Sequence, residues 1–267
     1  MWPLIFRTIK DRRSIILIYI ITATAFLFMY IAMFPSFSSQ TEQWDQMMKT
    51  IPEGMIKAFN LGDYSFARLE NFLSAEIYMI TWPLLLIVLA VSAAGSAIAG
   101  EIEKGTIEFL LSQSISRAKL YLSRYIAGVL AIFAFVAITI FIAIPLAKMF
   151  NISIQTDHYA TLALIGFLFG LSVFSIGFAL SAIFSDRGKV YFITSGLMIL
   201  MYTTNVIASL EEKFSDLKYF SFFYYYSPTD ALIRNKVDDI GYFVFSAITI
   251  LAFFAGLYIF SKRDIAT

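Results

Sequence analysis

Few residues in this sequence have the types and neighbours that catalysis requires. The only histidine, His158, follows Asp157, and one histidine beside one acid does not make a metal site. The absence of cysteine excludes disulfides and thiolate metal sites. The sequence also lacks the GxxxxGK(S/T) phosphate loop and the GxSxG nucleophile motif. We therefore expect a protein that is not an enzyme and that holds no metal or cofactor of its own.

The best candidate for a binding surface is the charged segment 100–117, which lies between two long apolar stretches. It carries three acids, Glu101, Glu103 and Glu108, together with two basic residues, Lys104 and Arg117. Gly105 permits a break in the backbone after the first two acids. A membrane protein has little reason to keep such a segment ordered unless a partner binds it.

The residues after this glycine are predicted to form a short helix parallel to the membrane. Thr106 can cap its first turn, where the helix dipole favours the acid Glu108. Ser116 can cap the next helix, with Arg117 beside it. The apolar face of the short helix consists of Ile107, Leu110 and Leu111. The alternative is a basic cytoplasmic loop with a turn, which explains the positive charges but neither the acids nor the apolar face.

A second group of polar residues forms a stripe on one predicted membrane helix. Ser195, Tyr202, Asn205 and Ser209 are spaced by seven, three and four residues, so they share one helical face. Such a stripe should face protein or a water-filled path rather than lipid. It either lines a transport path or makes hydrogen bonds to neighbouring helices.

Composition places both groups of residues in a membrane protein. Hydrophobic residues make up 59% of the chain, and six segments of 20 to 25 residues contain no charged residue or histidine. About 20 helical residues cross a bilayer, and strands would leave backbone groups unpaired in lipid. The expected fold is therefore an all-α membrane protein, a single transmembrane domain over residues 1–267. Its predicted spans are residues 15–34, 78–99, 126–147, 160–184, 190–210 and 240–260.

The uncharged spans also bear on the energy source. Ion-coupled carriers usually place ionisable residues within the membrane, and these six segments contain none. If the protein moves a substrate uphill, the energy must enter at a cytoplasmic surface, and segment 100–117 is the candidate.

Loop charges predict the orientation. With a cytoplasmic N-terminus, the inner segments carry 12 of the 20 Lys and Arg but only 6 of the 19 Asp and Glu. The positive-inside rule then places both termini in the cytoplasm. The first span is expected to stay in the membrane rather than to be cleaved as a signal peptide. The net charge of +1 gives no reason to expect a nucleic-acid partner.

Four further segments have predicted roles. Residues 2–13 place Trp2, Ile5, Phe6 and Ile9 on one face, which predicts an interfacial helix before the first span; an ordinary basic flank is the alternative. Residues 51–59 are predicted to form a short amphipathic helix at the outer mouth or a solvated loop helix without a role.

Residues 219–228 are predicted to form an aromatic belt or a re-entrant helix. The fourth span packs tightly, within this chain or with a second copy, through Gly166, Gly170, Gly177 and Ser181.

The charged segment resembles that of the ABC-2 family of ABC transporter permeases. That family shows an acid-x-acid-x-Gly-Thr run, a further acid, a Leu-Leu-Ser-like stretch and a hydrophobic-Ser-Arg ending. The matching residues are Glu101, Glu103, Gly105, Thr106, Glu108, Leu110, Leu111, Ser112, Ile115, Ser116 and Arg117. Ser114 departs from the proline that is common there. The N-terminal helix, the aromatic Ser-Pro loop, the Ser261-Lys262-Arg263-Asp264 ending and the six-helix layout are also similar.

The resemblance implies the ABC-2 exporter fold and a permease subunit that pairs with a second copy or a homologue. It further implies a separate ABC ATPase subunit, which would hold ATP and Mg²⁺ and dock on the coupling segment 100–117. The path would be lined in part by the first, second and fifth spans, and the protein would lie in the bilayer of the cell membrane. The alternative is an integral membrane anchoring or assembly protein that recruits a cytoplasmic partner and transports nothing.

Overall fold

The computed structural model describes residues 1–38, 68–107 and 115–263. Within these ranges every regular element is helical, so the predicted all-α membrane fold is confirmed. A π-helical turn, Ser74–Tyr78, follows the second α-helix, and a 3₁₀ helix, Glu212–Phe220, precedes the ninth. The α-helices are α1 (Trp2–Ser38), α2 (Leu69–Leu73), α3 (Thr81–Gly95), α4 (Ala99–Glu103), α5 (Arg117–Phe141), α6 (Ala143–Met149), α7 (His158–Ile183), α8 (Arg187–Leu210), α9 (Phe222–Tyr225), α10 (Pro228–Arg234) and α11 (Asp239–Lys262).

In the described part of the chain, five helical stretches are each long and apolar enough to cross a membrane: α1, α5 continued by α6, α7, α8 and α11. Leu69–Tyr78 and Thr81–Gly95 meet the same criteria only when taken together; the pair is bent by 44° and is either a broken sixth span or a re-entrant loop. The predicted first, third, fourth, fifth and sixth spans each lie almost wholly within one of these five helical stretches. The predicted second span lies largely within the bent pair.

The second span therefore differs from the prediction of one helix over residues 78–99. The helical residues begin earlier than predicted, and the chain bends at Met79 and Ile80. Helix α3 then ends at Gly95, and α4 starts at Ala99. Pro83 explains the bend, because it has no N–H to donate to the carbonyl of Met79 and its ring crowds that oxygen.

The N-terminus also differs from the prediction of a separate interfacial helix over residues 2–13. Those residues are the first turns of α1, which runs unbroken for 37 residues. No glycine or proline interrupts the sequence between Leu4 and Phe34. Since 37 helical residues extend ~56 Å, much more than a bilayer core of ~30 Å, α1 must project beyond its span. Trp2 and Phe6 remain largely exposed there.

Helix α7 lies at the centre of the bundle and contacts α3, α5, α8, α10 and α11. Its small residues let α3 approach closely. A Cβ placed on Gly166, Gly170 or Gly177 would lie within 3 Å of a side-chain atom of α3. The predicted small-residue face is therefore occupied within this chain rather than by a second copy.

The aromatic loop 219–228 combines the two alternatives that its sequence left open. Tyr219 and Phe220 are exposed, as in a belt at the membrane surface. Phe222 and Tyr226 fold back and are buried in the bundle, where the Tyr226 hydroxyl donates to the carbonyl of Tyr78 at 3.0 Å. The helix predicted at residues 51–59 lies outside the described residues.

Candidate functional site

The predicted coupling segment lies at one end of the bundle, where several helix termini meet. We call this region the basic end and define it as residues 1–14, 92–107, 115–125, 181–189 and 261–263. Arg12 of α1 donates to the carbonyls of Ser92 and Ala93 in the last turn of α3, at 3.3 and 3.2 Å. A cation in this position also complements the negative end of the α3 dipole.

Glu101 connects α4 to two spans. Its Oε1 accepts a hydrogen bond from Nη2 of Arg124 in α5 at 3.2 Å. The other terminal nitrogen of Arg124 donates to the hydroxyl of Thr8 in α1 at 2.7 Å. Because the Arg124 side chain is only 11% exposed, this pair is poorly screened by solvent and would be costly to break.

Glu103 connects α4 to the start of α8. Its carboxylate lies 3.4 Å from Nε of Arg187 and also accepts the backbone N–H of Arg187 at 3.1 Å. An acid at the N-terminus of a helix is favoured by the helix dipole. Both side chains are nearly half exposed, so the pair orients α4 more than it stabilises the fold.

Ser181 of α7 caps α4 from a distant part of the chain. Its fully buried hydroxyl accepts the N–H groups of Ile98 and Ala99, at 3.2 and 2.8 Å. The N-cap residue of α4, Ile98, makes no side-chain cap of its own. Sequence reasoning placed Ser181 in a packing face and missed this role, because no local signal links it to residues more than eighty positions away.

Gly105 breaks the helix as predicted, with a left-handed φ of +69°. The cap that Thr106 is predicted to make would receive N–H groups that lie outside the described residues, so it stays a prediction. Within the described residues, the Thr106 hydroxyl donates back to Glu101 of α4, with its oxygen 3.2 Å from the backbone carbonyl and 2.5 Å from the carboxylate. Ile107 is buried within the chain. The exposed tip of the turn is therefore Lys104, Gly105 and Thr106.

The remaining predicted coupling residues fall into two groups. Ser116 caps α5 as predicted, by accepting the N–H of Lys119 at 3.3 Å. Arg117 donates to the carbonyl of Arg263 at the end of α11. The guanidinium of Arg263 in turn donates to the carbonyl of Ala182 at 2.9 Å, which joins α5, α7 and α11. Glu108, Leu110 and Leu111 lie outside the described residues.

The opposite end of the bundle contains a cavity of about 460 Å³. We call this region the aromatic end and define it as residues 68–80, 150–161 and 202–240. Tyr202, Asn205 and Ser209 of the predicted polar stripe line the cavity, whereas Ser195 does not. The rest of the lining described here comes from the bend at Met79 and Ile80, from α8 and from residues 218–238.

Two tyrosines of this cavity, Tyr225 and Tyr226, have raised pKa values and are uncharged at neutral pH. Burial raises the pKa of Tyr226 well above the usual range of a phenol. Burial, followed by the neighbouring Tyr224, Tyr219 and Asp238, also raises the pKa of Tyr225. Both hydroxyl groups donate within the protein, to the carbonyls of Tyr78 and Tyr219, so each keeps only its oxygen as an acceptor and adds no charge.

His158 has a structural partner: its Nδ1 lies 2.6 Å from the carbonyl oxygen of Leu232 in α10. Across residues 1–38, 68–107 and 115–263, no group of three or more potential ligands could hold a metal ion.

Comparison with the sequence models of known protein families gives a match. The sequence model of a family described as ABC-2 family transporter protein matches residues 6–265, which is nearly the whole chain. No curated protein matches the sequence.

Proposed function

The chain belongs to the ABC-2 family of transporter proteins, and on that premise we propose that it is the permease of an ATP-driven exporter. It is a multi-pass membrane component of an ABC transporter. In our proposal a separate ATPase subunit binds ATP and Mg²⁺ and docks at the basic end, which faces the cytoplasm together with both termini. The chain itself hydrolyses nothing, and the transporter lies in the cell membrane.

The observation that carries this proposal is the set of connections around α4. Glu101 accepts a hydrogen bond from α5, and Glu103 accepts one from α8. Ser181 of α7 caps the start of α4. Arg124 extends the connection to α1 through Thr8. A displacement of the short α4 would therefore act on four membrane helices at once.

We assign different roles to the coupling residues on this basis. The exposed turn at Lys104, Gly105 and Thr106 would contact the ATPase, together with the following segment that contains Glu108, Leu110 and Leu111. Glu101, Glu103 and Arg117 have partners within the chain and would position that turn. Ser116 would fix the start of α5 behind it.

A second permease, identical or homologous, would complete the transporter. Large apolar side chains on α8 and α11 are exposed in the single chain, including Phe192, Leu200, Phe243 and Leu251. In a bilayer they would contact lipid or the second permease. Since α3 already occupies the glycine face of α7, the partner would use other helices.

The first experiment is affinity purification of the tagged chain from its native cell in mild detergent, followed by an ATPase assay. We expect a soluble subunit of ATPase size to co-elute with turnover that is lost in the Glu103→Lys plus Glu108→Lys variant. Elution alone, or with partners that have no ATPase activity, would contradict the proposal and favour an anchoring protein.

A charge swap separates positioning from direct contact at Glu103. In the variant Glu103→Arg plus Arg187→Glu, the pair between α4 and α8 can re-form with reversed polarity. If Glu103 acts through the side chain of Arg187, the swap recovers part of the ATPase turnover that Glu103→Arg alone removes, because the ion pair re-forms although the hydrogen bond from the Arg187 N–H does not. If the swap recovers none, the ion pair is not what Glu103 contributes, and its assignment as a residue that acts through the Arg187 side chain is wrong.

A further inference from the structure

The cavity at the aromatic end has the size of a small-molecule site. Its volume of about 460 Å³ lies within the ~300–1,000 Å³ of typical ligand pockets. One wall is the last turns of α8, and the others come from residues 218–230, Val237 and Asp238, and the bend in the second span.

The cavity wall mixes apolar surface with hydrogen-bonding groups. Tyr202, Asn205 and Ser209 bring hydroxyl and amide groups from one face of α8. Val206, Ala208 and Val237 supply aliphatic surface beside them. Aromatic rings complete the wall, namely Phe223, Tyr224, Tyr225 and Tyr226. Such a wall fits a molecule that carries both an apolar body and polar substituents.

Each charged side chain of the described lining already has a partner in the protein. Asp230 accepts from Arg234 at 2.9 Å. Asp238 accepts the N–H of Ile240 at 3.0 Å and caps α11. The ammonium of Lys218 lies over the rings of Tyr219 and Tyr224, at 5.1 and 5.3 Å. An ionic ligand would have to compete with these partners, and charge that leaves water without a counter-charge is costly.

We propose that this cavity binds an uncharged amphipathic molecule, with an apolar body and hydroxyl or amide groups, as the substrate of the transporter. This inference rests on the proposed function, because it takes the cavity to lie on the path of the exported molecule. It distinguishes such substrates from small ions and from charged lipids.

Cysteine protection tests the inference, because the chain contains no native cysteine. Asn205→Cys and Ser209→Cys introduce thiols into the cavity lining, and Ser195→Cys is the control on the same helix face outside it. Membrane vesicles that contain each variant are labelled with N-ethylmaleimide. The competing probes share an octyl chain and differ in charge: octyl glucoside, octyl sulfate and octyltrimethylammonium, all below their micelle concentrations.

We expect octyl glucoside to slow labelling at positions 205 and 209, by ~fivefold when its concentration is four times its Kd, because an occupied site is protected in proportion to its occupancy. Labelling at position 195 should not change. The inference is overturned if either charged probe protects as well as octyl glucoside. It is also overturned if none of the three probes protects.

This experiment needs neither ATP nor the ATPase. A failure of protection in a chain that still co-purifies with an active ATPase would overturn the cavity inference alone. Protection in a chain that has no ATPase partner would leave the cavity as a binding site and remove the exporter function.

Discussion

The two ends of the bundle are built from different interactions. At the basic end, arginine side chains join helices through carboxylates and carbonyl oxygens, as in the Glu101–Arg124 and Arg117–Arg263 contacts. At the aromatic end, hydroxyl groups and rings surround a cavity, and the charged residues of its lining are engaged locally. The basic end thus ties several helices to one another, whereas the aromatic end leaves space between them.

One membrane domain can in this way separate two tasks, which are to hold helices in fixed relative positions and to leave space for a ligand. Directional, charge-assisted bonds fix the relative positions of helices and suit a region that transmits force. Rings and hydroxyl groups hold a wall in place while they leave hydrogen-bonding groups for a ligand.

The largest effect is expected from Glu101→Gln at the basic end. The variant leaves the 11%-exposed Arg124 without its carboxylate, and breaking such a pair should cost about 3 kcal/mol of stability. Denaturant unfolding of the purified chain in detergent measures this. The matched control is Asp11→Asn, which removes the exposed pair with Arg7 and should cost less than about 0.5 kcal/mol. Equal effects in the two variants would show that Glu101 is not a structural link.

Ser181→Ala should have the next largest effect. It removes the acceptor of two backbone N–H groups at the start of α4, and unsatisfied buried donors cost about 1–3 kcal/mol. The control is Ser261→Ala, since that exposed hydroxyl donates to the carbonyl of Leu257 in its own helix. We expect faster amide hydrogen exchange at Ile98 and Ala99 in the Ser181 variant alone. Unchanged exchange would mean that the cap contributes nothing.

Glu103→Gln should change stability little and coupling strongly. Its pair with Arg187 is nearly half exposed, so the cost in unfolding free energy should be no more than about 1 kcal/mol. ATPase turnover of the purified complex should nevertheless fall, because α4 loses its ion pair with α8. A large loss of stability with turnover intact would reverse the role that we assign to this residue.

The smallest effect is expected from Lys218→Met at the aromatic end. A cation over a ring at a partly exposed site contributes about 0.5–1 kcal/mol. Lys213→Met is the control, because Lys213 is exposed and 6.0 Å from the centre of the Phe214 ring. Thermal unfolding in detergent should rank the Lys218 variant slightly below both the control and the parent chain. A destabilisation as large as that of Glu101→Gln would contradict the contrast between the two ends.

Local signals in the sequence are sufficient to predict some features of the fold and of the coupling segment. Uncharged apolar segments predicted the membrane helices, Gly105 predicted a break, and Ser116 predicted the cap of α5. Each of these features depends on neighbours within a few residues or on the length of one segment.

Features that depend on distant partners could not be predicted in this way. The link between Glu103 and Arg187 joins residues 84 positions apart, and nothing in the sequence indicates that their helix ends meet. The continuity of α1 was missed because an amphipathic basic start has the same pattern whether or not the helix bends before the span. The cavity was predicted only as a polar stripe, since its other wall comes from the aromatic loop.

The most direct test of the central claim is photo-cross-linking from the two ends of the bundle. Lys104→Cys at the basic end and Lys236→Cys at the aromatic end are both exposed, and no native cysteine competes with them. Each variant is labelled with benzophenone maleimide and illuminated in native membranes, with and without ATP. We predict a cross-link from position 104 to an ATPase subunit, in a yield that changes with ATP, and none from position 236. No ATPase adduct from position 104, or an equal adduct from both positions, would contradict the claim that the basic end receives the force of ATP hydrolysis.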